Sequence, residues 1–153
     1  MQCKERLERY LADNAVGFTE EQHRRAYSAQ QIAAMEHVPG DQFAKVVMLV
    51  ADGRTVMAVV PAARWLRLEQ AAEALGAEEV RLANEWEFAP LFPDCEVGAM
   101  PPFGNLYGVP VYVDEALSGH AEIVMQAGTH RDTMRIRYAD FERLAQPVSV
   151  RLT

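Results

Sequence analysis

One residue is out of character in the run "FAKVVMLVA", residues 43–51: Lys45 is its only charged group. Of fifteen basic residues in the chain, thirteen are arginine, and only positions 4 and 45 are lysine. The chain therefore uses a planar guanidinium almost everywhere, and at position 45 a compact point charge with three donors. A buried ammonium must be paired or lose its proton, because desolvation disfavours the charged form. Such a group is a functional candidate, and a lysine near a strand's start that snorkels to water is the alternative.

The second candidate is the loop "GAMPPFGN", Gly98 to Asn105. A glycine lets another molecule approach the backbone closely. Two prolines fix φ and push the residues before them into extended conformations. A stiff loop with accessible backbone N–H groups suits a carbonyl or oxyanion site; an ordinary surface turn is the other reading. The short loop "QAGTH", 126–130, offers Thr129 and His130 as polar contacts or as solvated turn residues. No nucleophile–base pair is visible. Ser28 reads as a helix cap, and Ser118 and Ser149 lack a strand–turn–helix context. Any catalysis here would work by positioning and electrostatics more than by covalent attack.

These groups need elements to hold them. Asp52-Gly53 between two apolar runs signals a two-residue hairpin with positive φ at both turn positions. It joins a strand over 43–51 to one over 54–60. The first strand is apolar on both faces, as in the middle of a covered sheet, with Phe43, Lys45, Val47 and Leu49 on one face. Helices are expected over 2–13, over about 29–37 behind a Ser28/Gln31 capping box, and over "ARWLRLEQAAEALG" with Trp65, Leu68, Ala72 and Leu75 on its apolar face and Gly76 as its cap. Asn84 and Glu87 have capping-box spacing, so a short helix starts there. "ADFERLAQ" is a final helix. An extended piece is expected around 15–18, and strands at "EEVRLA", "VPVYVD", "AEIVMQAG", "TMRIRY" and "VSVRL". About seven strands interleaved with helices predict a single α/β or α+β domain over 1–153 with a mixed sheet.

Composition narrows the class. Half of the 153 residues are hydrophobic and 24% are charged, as in a globular domain. No apolar run is long enough to cross a membrane. The net charge of −7 argues against a protein that tracks a long phosphate backbone, though not against one that grips a few nucleotides. Cys3 and Cys95 form neither a framework nor a ligand pattern, so reduced thiols in a cytoplasmic protein are expected. His23, His37, His120 and His130 show no ligand spacing, and no metal or cofactor is expected.

In order, "HRRAYSAQQIAAM", the lysine-bearing strand, "VVPAARWLRLEQAAEALG", "RLANEWEF", "GAMPPFG", "VPVYVDEAL", "AGTH" and "RIRYADFERL" resemble the YbaK/EbsC family of aminoacyl-tRNA deacylases. That family is similar to the editing domain inserted in bacterial prolyl-tRNA synthetases. The resemblance covers about residues 20–148. It implies a compact α/β domain with a mixed, barrel-like sheet, and hydrolysis of the ester joining a wrong small amino acid to the 3′ end of a tRNA. It implies that Lys45 binds near the terminal adenosine and its phosphate, and that Gly98 and Pro102 line the aminoacyl ester. Phe103, Gly104, Tyr27, Gly128, Thr129 and His130 fill out the expected substrate contacts. Ala99 and Pro101 depart from family members that carry a second glycine and a hydroxyl residue before the proline. The implied partners are the CCA end of a mischarged tRNA and an aminoacyl-tRNA synthetase. The implied protein is a free-standing, trans-acting monomer or weak dimer. A non-catalytic module of the same fold that binds aminoacyl- or nucleotide-like ligands is the alternative.

Overall fold

The computed structural model describes residues 1–153. Five α-helices, Cys3–Asp13 (α1), Ala29–Met35 (α2), Leu68–Leu75 (α3), Glu85–Phe88 (α4) and Tyr138–Ala145 (α5), surround one sheet. Its strands are Thr19–Gln22 (β1), Phe43–Ala51 (β2), Arg54–Pro61 (β3), Val80–Leu82 (β4), Val111–Asp114 (β5), Glu122–Gln126 (β6), Asp132–Arg137 (β7) and Val148–Val150 (β8). The order is β1-β7-β6-β2-β3-β5-β8, with β4 also paired to β2. The sheet is mixed, as expected, with eight strands where about seven were expected. The eighth is β1, four residues later than the extended piece expected around 15–18. It adds along β7 by antiparallel pairing, although all four of its side chains are exposed.

Local chemistry explains the boundaries. Asp52 and Gly53 take φ of 48° and 81°, the positive pair that the β2–β3 hairpin requires. The Ser28 hydroxyl accepts from the Gln31 N–H and opens α2. Gly76 closes α3 at φ 65°. Helix α3 starts only at Leu68, so Trp65 lies outside it, and its buried residue is Ala71 rather than Ala72.

The strand β2 separates two cores. On one face Ala44, Met48, Met57, Val59, Met125 and Met134 join Leu7 and Leu11 of α1 and Phe141 of α5. On the other face α2 covers Phe43 and Val124 with Ile32 and Ala33, while α3 covers Leu49, Ala58 and Val60 with Ala71. Lys45 lies on this second face, between the two covered patches.

One edge of β2 is paired with β3 from Ala44 to Ala51. The opposite edge is shared. Phe43 and Ala44 pair with β6, and Leu49 to Ala51 pair with β4. Between them, Lys45 to Val47 have no strand beside them. The central strand of the sheet thus has a gap in one flank, and Lys45 stands at its margin.

Two buried fastenings frame this sheet. Cys3 and Cys95 are joined in a disulfide, against the expectation of free thiols. The sequence spacing of 92 concealed this pair, because α1 folds back to place the Cys3 N–H on the Asp94 carbonyl at 2.9 Å. At the other end, the buried Asp114 carboxylate accepts from the N–H groups of Ala116, Leu152 and Thr153. The Leu152 carbonyl in turn accepts from the Arg67 N–H at 3.0 Å, tying the C-terminus to the segment before α3.

Candidate active site

The segments that flank the gap beside β2 lead into the loops that carry candidate residues. On one side β6 ends and leads into the loop 127–130. On the other, β4 leads through α4 to the loop 93–103. The two loops are joined by backbone hydrogen bonds: Gly128 N–H to the Ala99 carbonyl at 2.9 Å, and Glu96 N–H to the Gly128 carbonyl at 2.9 Å. The loop bearing Gly98 is therefore fastened to the segment that follows β6.

Lys45 is half-buried, and burial lowers its pKa from the ordinary lysine value with no carboxylate to offset it. Its ammonium lies 5.5 Å from the centre of the Trp65 ring. A cation held against an aromatic face and lacking a counterion is poised for an anionic or carbonyl ligand. Trp65 itself was expected on the core face of a helix. It is instead 76% exposed in the linker before α3. The helix start is delayed by five residues from Ala63 to Leu68, which leaves Trp65 in the linker after Pro61.

Gly98 has φ of 84°, and a Cβ placed there would sit 3.6 Å from His130 Cε1, an ordinary contact. Conformation, more than crowding, requires this glycine in the structure at hand. His130 is buried. Its N–H donates to Glu96 Oε1 at 3.0 Å, and its ring stacks at 4.7 Å on Tyr27. Its Nε2 lies 2.7 Å from the Val97 carbonyl. A carbonyl only accepts, so Nε2 carries a proton there, while the buried Nδ1 has no partner. Tyr27 is exposed, and its hydroxyl accepts from Arg25 Nε at 2.7 Å. Gly98, His130 and Tyr27 therefore form one cluster.

The other expected contacts are scaffold. The Phe103 ring is fully buried between Tyr10 and Phe141 on the α1/α5 side. A Cβ on Gly104 would meet the Val109 carbonyl at 2.7 Å, and one on Gly128 would meet Cys3 Cβ and Sγ at 2.8 Å. These two glycines are fixed by close packing. The Thr129 hydroxyl donates to Asp132 and accepts from the Arg131 and Asp132 N–H groups, so it closes its own turn. Pro102 is buried within the loop, where it stiffens the approach to Gly98.

A cavity of about 560 Å³ lies nearby between α1 and residues 93–96, reaching Gly128 and Thr129. Lys45 and Gly98 do not line it, and its wall carries Glu5, Glu8, Asp94 and Glu96. That concentration of carboxylates disfavours a phosphate there, which leaves the gap at Lys45 as the candidate site.

Residues 23–144 match the aminoacyl-tRNA editing domain. Over 130 residues, 78% of this chain, the sequence is 32% identical to the proline–tRNA ligase of Nitratidesulfovibrio vulgaris strain Hildenborough and 31% identical to that of strain DP4. The match spans only 22% of each ligase. A solved structure whose suggested role is trans-editing for prolyl tRNA synthetase superposes with a TM-score of 0.85 at 22% identity, covering 100% of this chain and 98% of its own. With the family pattern running through both the lysine strand and the Gly98 loop, the chain belongs to the aminoacyl-tRNA editing domain family.

Proposed function

We propose that the protein hydrolyses the ester between a wrongly attached small amino acid and the 3′ end of a tRNA, acting in trans. The carrying observation is Lys45: a half-buried cation without a counterion, at the gap in the central strand. The editing-domain membership supports the same reading. In this reaction a water oxygen attacks the ester carbonyl carbon, and the carbon–oxygen bond to the ribose breaks. The ribose oxygen takes up a proton, releasing free amino acid and an uncharged tRNA. Lys45 holds the phosphate of the terminal nucleotide. The backbone at Gly98 faces the carbonyl, where charge develops in the transition state. Such a reaction would act as a second sieve, which destroys products that a synthetase site separates poorly.

An acidic chain is compatible with this role because only the single-stranded end is gripped. The test is release of free amino acid from tRNAs mischarged with alanine, serine, threonine or cysteine. Turnover of at least one, lost in Lys45→Ala, is expected. Binding of the tRNA end without release from any of them would make the domain a non-catalytic module.

A further inference from the structure

The disulfide lies beneath the junction of the loops 93–103 and 127–130. Gly128 packs directly on it: a Cβ there would meet Cys3 Cβ and Sγ at 2.8 Å. The same glycine holds the Gly98 loop, its N–H donating to the Ala99 carbonyl and its carbonyl accepting from the Glu96 N–H, both at 2.9 Å. Glu96 Oε1 in turn accepts from the His130 N–H at 3.0 Å. The Cys3–Cys95 bond therefore ties α1 to the base of the Gly98 loop. The bridge is also within reach of a reagent. Both cysteines line the cavity of about 560 Å³, Cys3 buried and Cys95 half-buried. An incoming thiolate thus meets Cys95 Sγ, and Cys3 is the leaving group. Cys3 is the first residue of α1, where the helix N-terminus favours a thiolate. The Tyr107 hydroxyl donates to Asp94 Oδ1 at 2.8 Å and stands 3.4 Å from Cys3 Sγ, so it can turn its proton to the departing sulfur. Opening the bridge leaves α1 in place, because the Cys3 N–H still reaches the Asp94 carbonyl at 2.9 Å and Arg6 Nε still donates to Asp94 Oδ2 at 2.8 Å.

We propose that Cys3–Cys95 is a redox modification site, opened by a dithiol reductant through this cavity, and that its state sets how firmly the Gly98 loop is held. One thiolate of the reductant attacks Cys95 Sγ, the Cys3–Cys95 bond breaks, and its electron pair leaves on Cys3. The reductant's second sulfur then attacks the mixed disulfide and releases Cys95. The dithiol is oxidised to a disulfide, and its two protons end on Cys3 and Cys95. The oxidised protein holds the loop, and the reduced protein lets it move. Only the kinetic arm of the test rests on the proposed deacylation.

Alkylation read by mass spectrometry tests the chemistry. The native protein should present no free thiol, and dithiothreitol should expose both cysteines without denaturant. Free thiols before any reductant, or thiols that appear only on unfolding, overturn the proposal. The cavity wall sets the carboxylates of Glu5, Glu8, Asp94 and Glu96 against Lys4 alone. Cationic cysteamine should therefore form the mixed disulfide at least about threefold faster than anionic 3-mercaptopropionate, and high salt should close the difference. Equal rates at low salt overturn entry through the cavity. Hydrogen exchange reads the loop. Reduction should speed exchange of the Glu96 and Gly128 amides about tenfold or more, while the amides of β2 keep their rates. A protein carrying Cys3→Ser and Cys95→Ser should exchange as the reduced wild type does and ignore dithiothreitol. Exchange that is the same in both redox states overturns the coupling to the loop. Turnover of a mischarged tRNA should fall several-fold in kcat on reduction, recover on reoxidation, and stay low in the serine protein. Equal turnover in both states overturns control of the site and leaves the deacylase intact. No hydrolysis in either state removes the deacylase, and alkylation and exchange still decide the redox site.

Discussion

The two lysines of this chain occupy opposite environments. Lys4 lies 3.3 Å from Asp132 and 3.5 Å from Glu20, and these partners outweigh burial and raise its pKa. Lys45 has an indole and no carboxylate, and burial lowers its pKa. Lys4 helps fasten α1 to β1 and β7. Lys45 fastens nothing. A charge that the fold has satisfied is a structural part, while a charge left unsatisfied is available to a ligand.

Exchanging the two residues' fates is the strongest way to break that contrast. Lys45→Ala should reduce deacylation at least about a hundredfold, the scale of losing one transition-state donor, with no loss of thermal stability. Lys45→Arg should fail as well, because a planar fork does not replace a point charge. Lys4→Ala should keep the rate and lose about 1 kcal/mol of stability, since Asp132 retains Thr129 and Gln22. Parallel rate and melting measurements decide it. Full activity in Lys45→Ala would remove the assignment.

Gly98→Ala sharpens the comparison from the loop side. At φ of 84° a methyl group costs about 1–2 kcal/mol in backbone strain. The rate should fall by more than the stability loss accounts for, because in the proposed reaction the loop faces the ester. A rate equal to wild type would make the loop a turn only.

Titration separates the lysines by sign. Lys45 has a folded pKa below its unfolded value. Its burial penalty is present below the folded pKa and disappears as pH rises towards the unfolded one, so stability gains there while the ammonium-dependent rate falls. Lys4 has a raised folded pKa. Its contribution is complete below the unfolded pKa and is lost as pH rises through the folded one. Urea melts of Lys45→Ala and Lys4→Ala across alkaline pH should depart from wild type in opposite directions. The smallest effect is expected in salt. Gripping only the CCA end predicts a log–log slope of affinity on the order of −1 to −3. A slope near −6 would mean an extended basic surface holds the tRNA body.

Much of this was legible before any coordinates. The hairpin at Asp52-Gly53, the Ser28 cap and the two-faced run of β2 rest on local rules that this chain obeys, and Lys45 stood out because its neighbours are uniformly apolar. What stayed hidden depends on distant pairing. The disulfide required knowing that α1 returns to residue 94. Phe103 and Gly104 sat in a promising loop, yet the chain turns inward there and packs them against Tyr10 and Val109. Trp65 looked like part of an amphipathic helix until the helix began three residues later.

The clamp at Asp114 has a consequence for motion. Terminal residues normally fray, and their amide hydrogens exchange within moments. Here the Leu152 and Thr153 amides point into a buried carboxylate, and the Leu152 carbonyl holds the Arg67 amide two residues from Trp65. Those three amides should exchange together, as slowly as the strands they border. Opening the C-terminus would then free the linker that carries the indole, so the lifetime of the last few residues sets how long Trp65 keeps its place over Lys45.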